Sequence, residues 1–281
     1  MPEGDVVRKT AQRLDQALAG RPLVGAELRW PSLGDRSLHG MTTTEVVSRG
    51  KHLLHRLDSG LTLHSHLRME GSWRVRPTSA VTPKVAARSD IRALLATDTW
   101  AAIGYRLGLL ELFATREEDR VVGHLGPDIL SPEWDADEAV RRLRRQPAET
   151  IGAALLDQRN LAGIGTMFAA EALFEQQVPP WQPVAQTTDE QVHGTLAAAH
   201  RLMTRSMDQP LRIVTERTST TEDTRVHARS GRPCLRCGGT VRVAMIGTAP
   251  QERTMFYCPT CQGGLGPTDD GRTQRPLNSQ R

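Results

Sequence analysis

Cys234-Leu-Arg-Cys237, then twenty residues, then Cys258-Pro-Thr-Cys261: this stretch holds all four cysteines of the 281-residue chain. Two Cys-x2-Cys knuckles at this separation can offer four thiolates to a single tetrahedral zinc. Disulfides or a redox pair do not suit a cytosolic chain that leaves no cysteine unpaired, so one structural zinc ion is expected. Around the knuckles sit Arg229, Arg232, Arg236, Arg242 and Arg253, which concentrates the basic surplus of a chain of net charge +4 and pI ≈ 9.2 on one small module. A basic surplus placed in this way points to a polyanionic partner. The run Arg253-Thr-Met-Phe-Tyr257 reads as a hairpin strand leading into the second knuckle. The tail beyond residue 264 is polar and is expected to be disordered.

Working back towards the N-terminus, residues 209–225 are rich in Thr, Glu and Arg and read as a loop. Before them, residues 133–146, 149–158, 165–177 and 187–208 carry helical periodicity with few breakers. Arg141, Arg142, Arg144 and Arg145 read most simply as a solvated helix face. In Leu161-Ala-Gly-Ile-Gly-Thr166, two glycines lead into the helical run Met167–Phe174, with Thr166 as the expected cap. Such an approach to a helix start exposes unpaired N–H groups and the positive end of the dipole, which suits a phosphate. For an isolated Gly-x-Gly, a tight inter-helix turn is the simpler reading.

Residues 21–116 show short apolar runs broken by Gly, Pro and Ser, the pattern of a β-rich domain. Consecutive strand candidates are Glu45–Arg49, Lys51–Leu57 and Leu61–Arg68. In the last of these, strand alternation gathers His64, His66 and Arg68 on one face. A phosphate-facing or solvated face is preferred there over a metal site, because no third ligand is near in sequence. Lys51 follows Gly50 in a hairpin region and alone reads as a surface residue. Trp100 to Phe113 suggests a strand pair around Gly104 and Gly108, and the segment around His124–Leu130 a linker. The length favours two domains. Apolar residues make up 38%, charged residues 24%, and mean hydropathy is −0.42, as in a soluble globular protein. No run approaches the ~20 apolar residues of a membrane span, and no signal-peptide core begins the chain, so a cytoplasmic protein is expected.

The chain begins Met1-Pro2-Glu3-Gly4-Asp5 and continues as an amphipathic helix over 5–19. Asp5 is the expected cap, Val7, Ala11, Leu14 and Leu18 the apolar face, and Gly20 the C′ residue. Removal of Met1 would expose a secondary amine at Pro2 with a pKa near ~8, so part of it is unprotonated at neutral pH. Attack by such an amine on an aldehyde-like carbon gives an iminium, with Glu3 as the adjacent acid or base. Taken alone, a Met-Pro start more often only sets processing.

In this order, these features resemble the formamidopyrimidine-DNA glycosylase and endonuclease VIII family of base-excision repair enzymes, in particular its actinobacterial endonuclease VIII-like branch. The likeness covers roughly residues 2–262. It is carried by Pro-Glu-Gly, Ser48-Arg-Gly-Lys-His52, His66-Leu-Arg-Met-Glu-Gly71, His124-Leu-Gly-Pro-Asp128, Leu156-Asp-Gln-Arg159 with Ala162-Gly-Ile-Gly165, and the four-cysteine module. The resemblance implies an α+β fold. An N-terminal β-sandwich with an N-terminal helix (2–117) is followed by a linker (118–132), a helix–two-turn–helix domain (133–225) and a zinc finger (226–264), with a disordered tail (265–281).

It also implies a bifunctional DNA glycosylase and AP lyase acting on oxidised bases, pyrimidines being favoured, with β- and δ-elimination. Pro2 would be the nucleophile, Glu3 the acid/base and Lys51 the group that holds a phosphate and promotes elimination. His66, Gly165, Thr166 and Arg253 would meet phosphates, and Met69 would fill the gap left by the extruded base. Arg106 and Leu107 would sit in a second void-filling loop. One zinc would be bound by Cys234, Cys237, Cys258 and Cys261. Damaged DNA, double- or single-stranded, is the implied partner of a monomeric protein. The chain departs from the family at Thr166, where asparagine is usual, at Val226-His-Ala-Arg229, where Val-Tyr-Gly-Arg is usual, and at Glu252, where glutamine is common. Thr166 and the altered 226–229 stretch motivate the competing expectation of a damaged-DNA-binding protein with weak or no catalysis.

Overall fold

The structure, a computed structural model, describes residues 2–208 and 224–276. The expected 209–225 loop therefore lies almost wholly outside the described residues. The chain divides into two compact units, Met1–His124 and Leu125–Arg281.

In the first unit, α1 (Gly4–Leu18) buries Val7, Ala11, Leu14 and Leu18, the face expected from its periodicity. Its N-cap is Glu3 rather than Asp5: the cap lies two residues earlier, and Asp5 is buried in the first turn. Gly20 stands beyond the C-cap at φ 73°, a left-handed conformation that only glycine adopts cheaply. Eight strands follow: β1 (Gly25–Leu28), β2 (Thr43–Arg49), β3 (His52–Leu57), β4 (Leu61–His66), β5 (Ser72–Pro77), β6 (Ile91–Ala96), β7 (Trp100–Tyr105) and β8 (Leu109–Ala114). Short helices α2 (Pro83–Ala86) and α3 (Asp119–Val122) interrupt and follow them. The strands form two four-stranded antiparallel sheets, ordered β1-β6-β7-β5 and β2-β3-β4-β8. One core joins them: Leu28, Leu95 and Ala102 from the first sheet, Val46, Leu53, Leu63 and Leu110 from the second, and Leu14 and Leu18 from α1. Each buried leucine contributes about 2 kcal/mol, and together they fix α1 on the sandwich.

The expected strand pair over Trp100–Phe113 is not a hairpin. β7 pairs β5 and β6, whereas β8 pairs β4 in the other sheet. The three residues between them switch sheets, because Arg106 takes φ 46° and Leu107 dives into the core at 3% exposure. The expected linker 118–132 is likewise divided. Glu118 accepts hydrogen bonds from Arg56 (2.8 and 2.6 Å) and Thr62 (2.7 Å) in the first unit, while Asp128 bridges to Ala162 in the second.

The second unit contains α4 (Ala136–Arg144), α5 (Ile151–Leu156), α6 (Thr166–Glu175) and α7 (Asp189–Asp208), then the hairpin β9 (Arg242–Ile246) and β10 (Arg253–Tyr257). The helices match the expected four; each begins later than expected, and all but α7 also end earlier. α6 is the centre: Phe168 through Phe174 are all buried, so it is apolar all round rather than amphipathic. Of the basic residues on α4, Arg144 is more than a solvated charge, since it donates to the carbonyls of Val184 and Thr187 and pairs with Asp189.

Residues 265–276 are not the disordered tail that their polarity suggests. Asp269, with its side chain wholly buried, accepts from Arg242 Nε (2.6 Å) and Tyr257 Oη (2.6 Å). Gly266 N–H donates to Tyr257 Oη at 3.0 Å, and the Gln274 amide bridges the N–H and C=O of Val243 at 2.8 Å each. The segment thus clasps both strands of the hairpin, through polar contacts that hydropathy alone does not register. Arg242 holds the Asp269 carboxyl down at about 2, while burial and the Asp269 carboxylate push the Tyr257 hydroxyl up to about 12.

Asp269→Ala would leave a guanidinium and a phenol buried without their shared acceptor, a loss of about 3 kcal/mol. Urea unfolding should show the midpoint moved to lower denaturant by that loss divided by an unchanged slope.

Candidate active-site arm and nucleic-acid contacts

The N-terminal arm is short and held. Glu3 caps α1 in extended geometry (φ −102°, ψ −179°), and its carbonyl accepts the first helical bond from Val7 N at 3.1 Å. Its carboxyl-bearing residue is only 4% exposed. Pro2, half-buried, is therefore joined directly to a residue whose backbone is fixed by the helix.

Lys51 lies in the two-residue turn between β2 and β3, where Arg49 pairs with His52. Gly50 takes φ 57° at the first central position, as a type II′ hairpin requires. Lys51 is 8% exposed, so it is not the surface lysine that its sequence context alone suggests. Beyond the turn, His52 pairs with His66 across β3 and β4, and their rings meet edge-to-face at 5.1 Å. His64 is wholly buried on the same face, with Nε2 2.9 Å from His52 Nδ1 and Nδ1 3.0 Å from Glu111 Oε2. Desolvation holds His52 at about 3 and His66 at about 4, and also lowers His64 against the opposing pull of Glu111. His66 accepts the Arg68 N–H on Nδ1 at 2.9 Å, which leaves its proton on Nε2. Among the described residues, the four cysteines alone form a metal-competent group, so these histidines make a hydrogen-bonded cluster rather than a ligand set.

Met69 is 69% exposed at the tip of the loop after β4. Arg68 takes φ 51°, ending the strand before it and removing Arg68 from the alternating face expected of it. A Cβ at Gly71 would fall 2.4 Å from the Leu67 carbonyl oxygen, so the tight return needs glycine. Arg106, on the sheet-switching loop, is exposed and faces Glu70 at 3.4 Å. The two loops also touch where the Arg68 stem packs over Gly108. Leu107 does not belong with the exposed candidates. It packs against Gly104 in the sandwich core, where the sheet switch needs an apolar anchor, and it is corrected to a core residue.

In the second unit the cap of α6 is Gly165 (φ −132°), and Thr166 is the first helical residue with no side-chain cap bond, so its expected capping role is corrected. The preceding turn is organised by Gln158, which sequence reading noted only as part of a motif. Its amide donates to the carbonyls of Leu156 and Ile164 at 3.0 Å each and accepts the Gly163 N–H at 3.0 Å. Gly126 fits because a Cβ there would meet the Asn160 backbone at 2.5 Å.

The carboxylate of Glu171, on α6, accepts the N–H groups of Arg225, Val226 and His227 at 2.9, 2.9 and 2.8 Å, and Arg236 stacks its guanidinium 4.5 Å above Phe174. These contacts hold the four-cysteine module to the helix. The four Sγ atoms lie within 4.8 Å of one another, with Cys234–Cys261 at 4.0 Å and Cys237–Cys258 at 3.6 Å. Tetrahedral zinc with thiolates at their usual bond length separates sulfurs by about 3.8 Å. The Arg236 and Gly239 N–H groups point at Cys234 and Cys237 Sγ at 3.4 Å each, as suits thiolate acceptors. The donor set fits zinc. Arg253, on β10, is exposed; its guanidinium bonds only the adjacent carbonyls of Gln251 and Glu252 among the contacts described.

These features define a two-unit protein of sandwich, helix–two-turn–helix and four-cysteine type. Residues 1–102 match the formamidopyrimidine-DNA glycosylase N-terminal domain, and residues 125–217 the formamidopyrimidine-DNA glycosylase H2TH domain. A Streptomyces coelicolor protein described as "Probable endonuclease 8 2" is 45% identical over 97% of this chain and 98% of its own length. The "DNA-(apurinic or apyrimidinic site) lyase Nei2" of Mycolicibacterium smegmatis is 38% identical over 93% and 99%. In fold, a Lactococcus lactis formamidopyrimidine-DNA glycosylase, non-covalently bound to DNA containing an AP site, superposes with TM-score 0.77 at 22% identity, covering 93% of this chain and 99% of that one. The chain belongs to the formamidopyrimidine-DNA glycosylase family. Among the described residues, no helix is long and apolar enough to cross a membrane.

Two outcomes are expected from this geometry. The unfolded histidines titrate near ~6.5, whereas His52 and His66 in the fold stay neutral down to about 3 and about 4. The unfolded chain therefore takes up protons first as pH falls, and stability present above pH ~6.5 is lost towards pH ~4. Imidazole NMR titration checks this: a midpoint above pH 6 for either ring would contradict their burial. Separately, Ala228 takes φ 58°, where a Cβ is strained. Ala228→Gly should raise unfolding stability by about 1 kcal/mol in thermal or urea melts.

Proposed function

We propose that this chain is a bifunctional DNA glycosylase and AP lyase of base-excision repair, working through a covalent intermediate on Pro2. The observation that carries this reading is the joining of Pro2 to a buried Glu3 locked as the cap of α1. Family membership supports the class of reaction; the arm supports the mechanism.

The Pro2 nitrogen, once Met1 is removed, uses its lone pair to form a bond to C1′ of the damaged nucleotide. The C1′–base bond breaks, and the base leaves with its electron pair and takes up a proton. Opening of the sugar ring breaks the C1′–O4′ bond to give an iminium, and Glu3 delivers the proton that O4′ needs. The iminium acidifies the C2′ proton. Its removal expels the 3′ phosphate, and a second elimination releases the sugar from the 5′ phosphate. Water then frees Pro2.

Lys51, at 8% exposure, brings a cation whose desolvation strengthens its pull on a leaving phosphate. His66, held as an Nε2–H donor, and the exposed Arg253 supply further phosphate contacts, with the glycine-led start of α6 at Gly165 and Thr166. Met69 and Arg106, exposed on adjoining loops, fill the space of the extruded base. Zinc, bound by Cys234, Cys237, Cys258 and Cys261, would supply structural cross-linking of the knuckles beneath β10. Oxidised pyrimidines are the proposed substrates, by likeness to relatives named endonuclease 8.

Borohydride trapping on a duplex carrying an abasic site or an oxidised pyrimidine tests the reading. Wild type should give a covalent adduct, Pro2→Gly none, and Glu3→Gln an adduct with glycosylase rate reduced at least about a hundredfold. An adduct undiminished by loss of Pro2 would remove the mechanism. Tight binding to damaged DNA without adduct or cleavage would instead identify a damage-binding protein.

A further inference from the structure

The reaction proposed above uses His66 but leaves its neighbours His52, His64 and Glu111 without a task. They form a continuous line across three strands, β3, β4 and β8. Glu111, about half exposed on the outer end, is a carboxylate and can only accept. The proton between it and His64, across 3.0 Å, therefore sits on His64 Nδ1. His64 is wholly buried and neutral, so its Nε2 carries a lone pair. The 2.9 Å contact from that lone pair to His52 Nδ1 then requires the proton on His52 Nδ1. This leaves His52 Nε2 bare.

Each tautomer in the line follows from the one before it. Two strand positions from His64, the Arg68 N–H fixes the opposite tautomer in His66, with its proton on Nε2. The rings of His52 and His66 are thus neighbours with complementary protonation, one an acceptor and one a donor. They also touch edge-to-face at 5.1 Å, and His52 stacks on His64 at 5.1 Å and 20°. On its other side His64 meets Phe113, and Glu118, Lys51, Arg68 and His124 are the remaining charged or titratable groups in electrostatic reach of the cluster.

We propose that Glu111, His64 and His52 form a positioning chain for His66: by locking His52 in a single tautomer against the His66 ring, they hold the His66 Nε2–H in the orientation that meets a DNA phosphate. Glu111 acts from a distance on a contact it never touches. This rests on the phosphate-binding reading of His66 given above.

The experiment separates the two. In the protein free of DNA, long-range ¹⁵N–¹H correlation of the imidazoles should show protons on His52 Nδ1, His64 Nδ1 and His66 Nε2. Glu111→Leu removes the terminal acceptor from an exposed position. It should scramble the His52 and His64 tautomers, leave His66 as an Nε2–H donor, and weaken binding of a duplex with an abasic-site analogue about fivefold, with the single-turnover cleavage rate at saturation little changed. Glu111→Gln, whose amide oxygen can still accept, should keep the tautomers and bind within about twofold of wild type. A wild-type His52 protonated on Nε2, or a Glu111→Leu protein that binds the duplex as wild type does, would overturn the proposal. Failure of the wild-type protein itself to bind the duplex would overturn the functional reading and the role of the chain, while the tautomer assignments would be judged by the spectra alone.

Discussion

Three consecutive backbone N–H groups, of Arg225, Val226 and His227, converge on the carboxylate of Glu171, and the architecture of the second unit depends on that convergence. A helix as apolar as α6 has no face from which to reach a polar module, and Glu171 is its one charged residue among Phe168–Phe174. Charge-assisted bonds to buried N–H groups are about twice as strong as neutral ones. They therefore fix the chain that enters the knuckles to the helix at one point. Arg236, donating to the carbonyls of Phe174 and Glu175, and Gln262, reaching the carbonyl of Val178, close the remaining freedom. The glycine-led start of the helix and the hairpin bearing Arg253 are thereby parts of one rigid support.

The first unit uses a different device. The face of its β2-β3-β4-β8 sheet that carries the histidines mixes apolar residues with polar groups that bond to one another. Arg56 spans Glu45 and Glu118, Thr62 adds a bond to Glu118, and the histidines bond to one another and to Glu111. Neutral imidazoles suit this setting because they donate and accept without a net charge to desolvate. Lys51 lies beside this face, in a turn whose geometry Gly50 sets. Paired strands on both sides of the turn restrain the backbone that carries the lysine.

Much of this was legible in the sequence wherever a single residue type or period carries the signal. The cysteine spacing gave the knuckles, periodicity gave α1 and helices α4 to α7, and alternation gave β2, β3 and β4. Motif order gave the family. What remained hidden depends on long-range pairing. That β7 and β8 belong to different sheets follows from Leu107 being pulled into the core, which local pattern does not encode. Lys51 looked like a surface residue because burial is a property of the fold rather than of a Gly-Lys turn. Gln158 and Glu171 carry no signal in the sequence because their partners are backbone atoms, which are invisible in side-chain chemistry. The order of residues 265–276 rests on Asp269 finding Arg242 and Tyr257, both earlier in the chain, which leaves no local signal.

That last pairing bears on how the protein is made. All four cysteines precede Asp269 in the chain, so the metal ligands are complete before the buried counter-charge of the hairpin has been added. Translation that stops at a nonsense codon between Cys261 and Asp269 would give a product with every metal ligand present and a clasp that never closes. For such alleles, counting cysteines would report an intact module where cellular proteases would meet an open one.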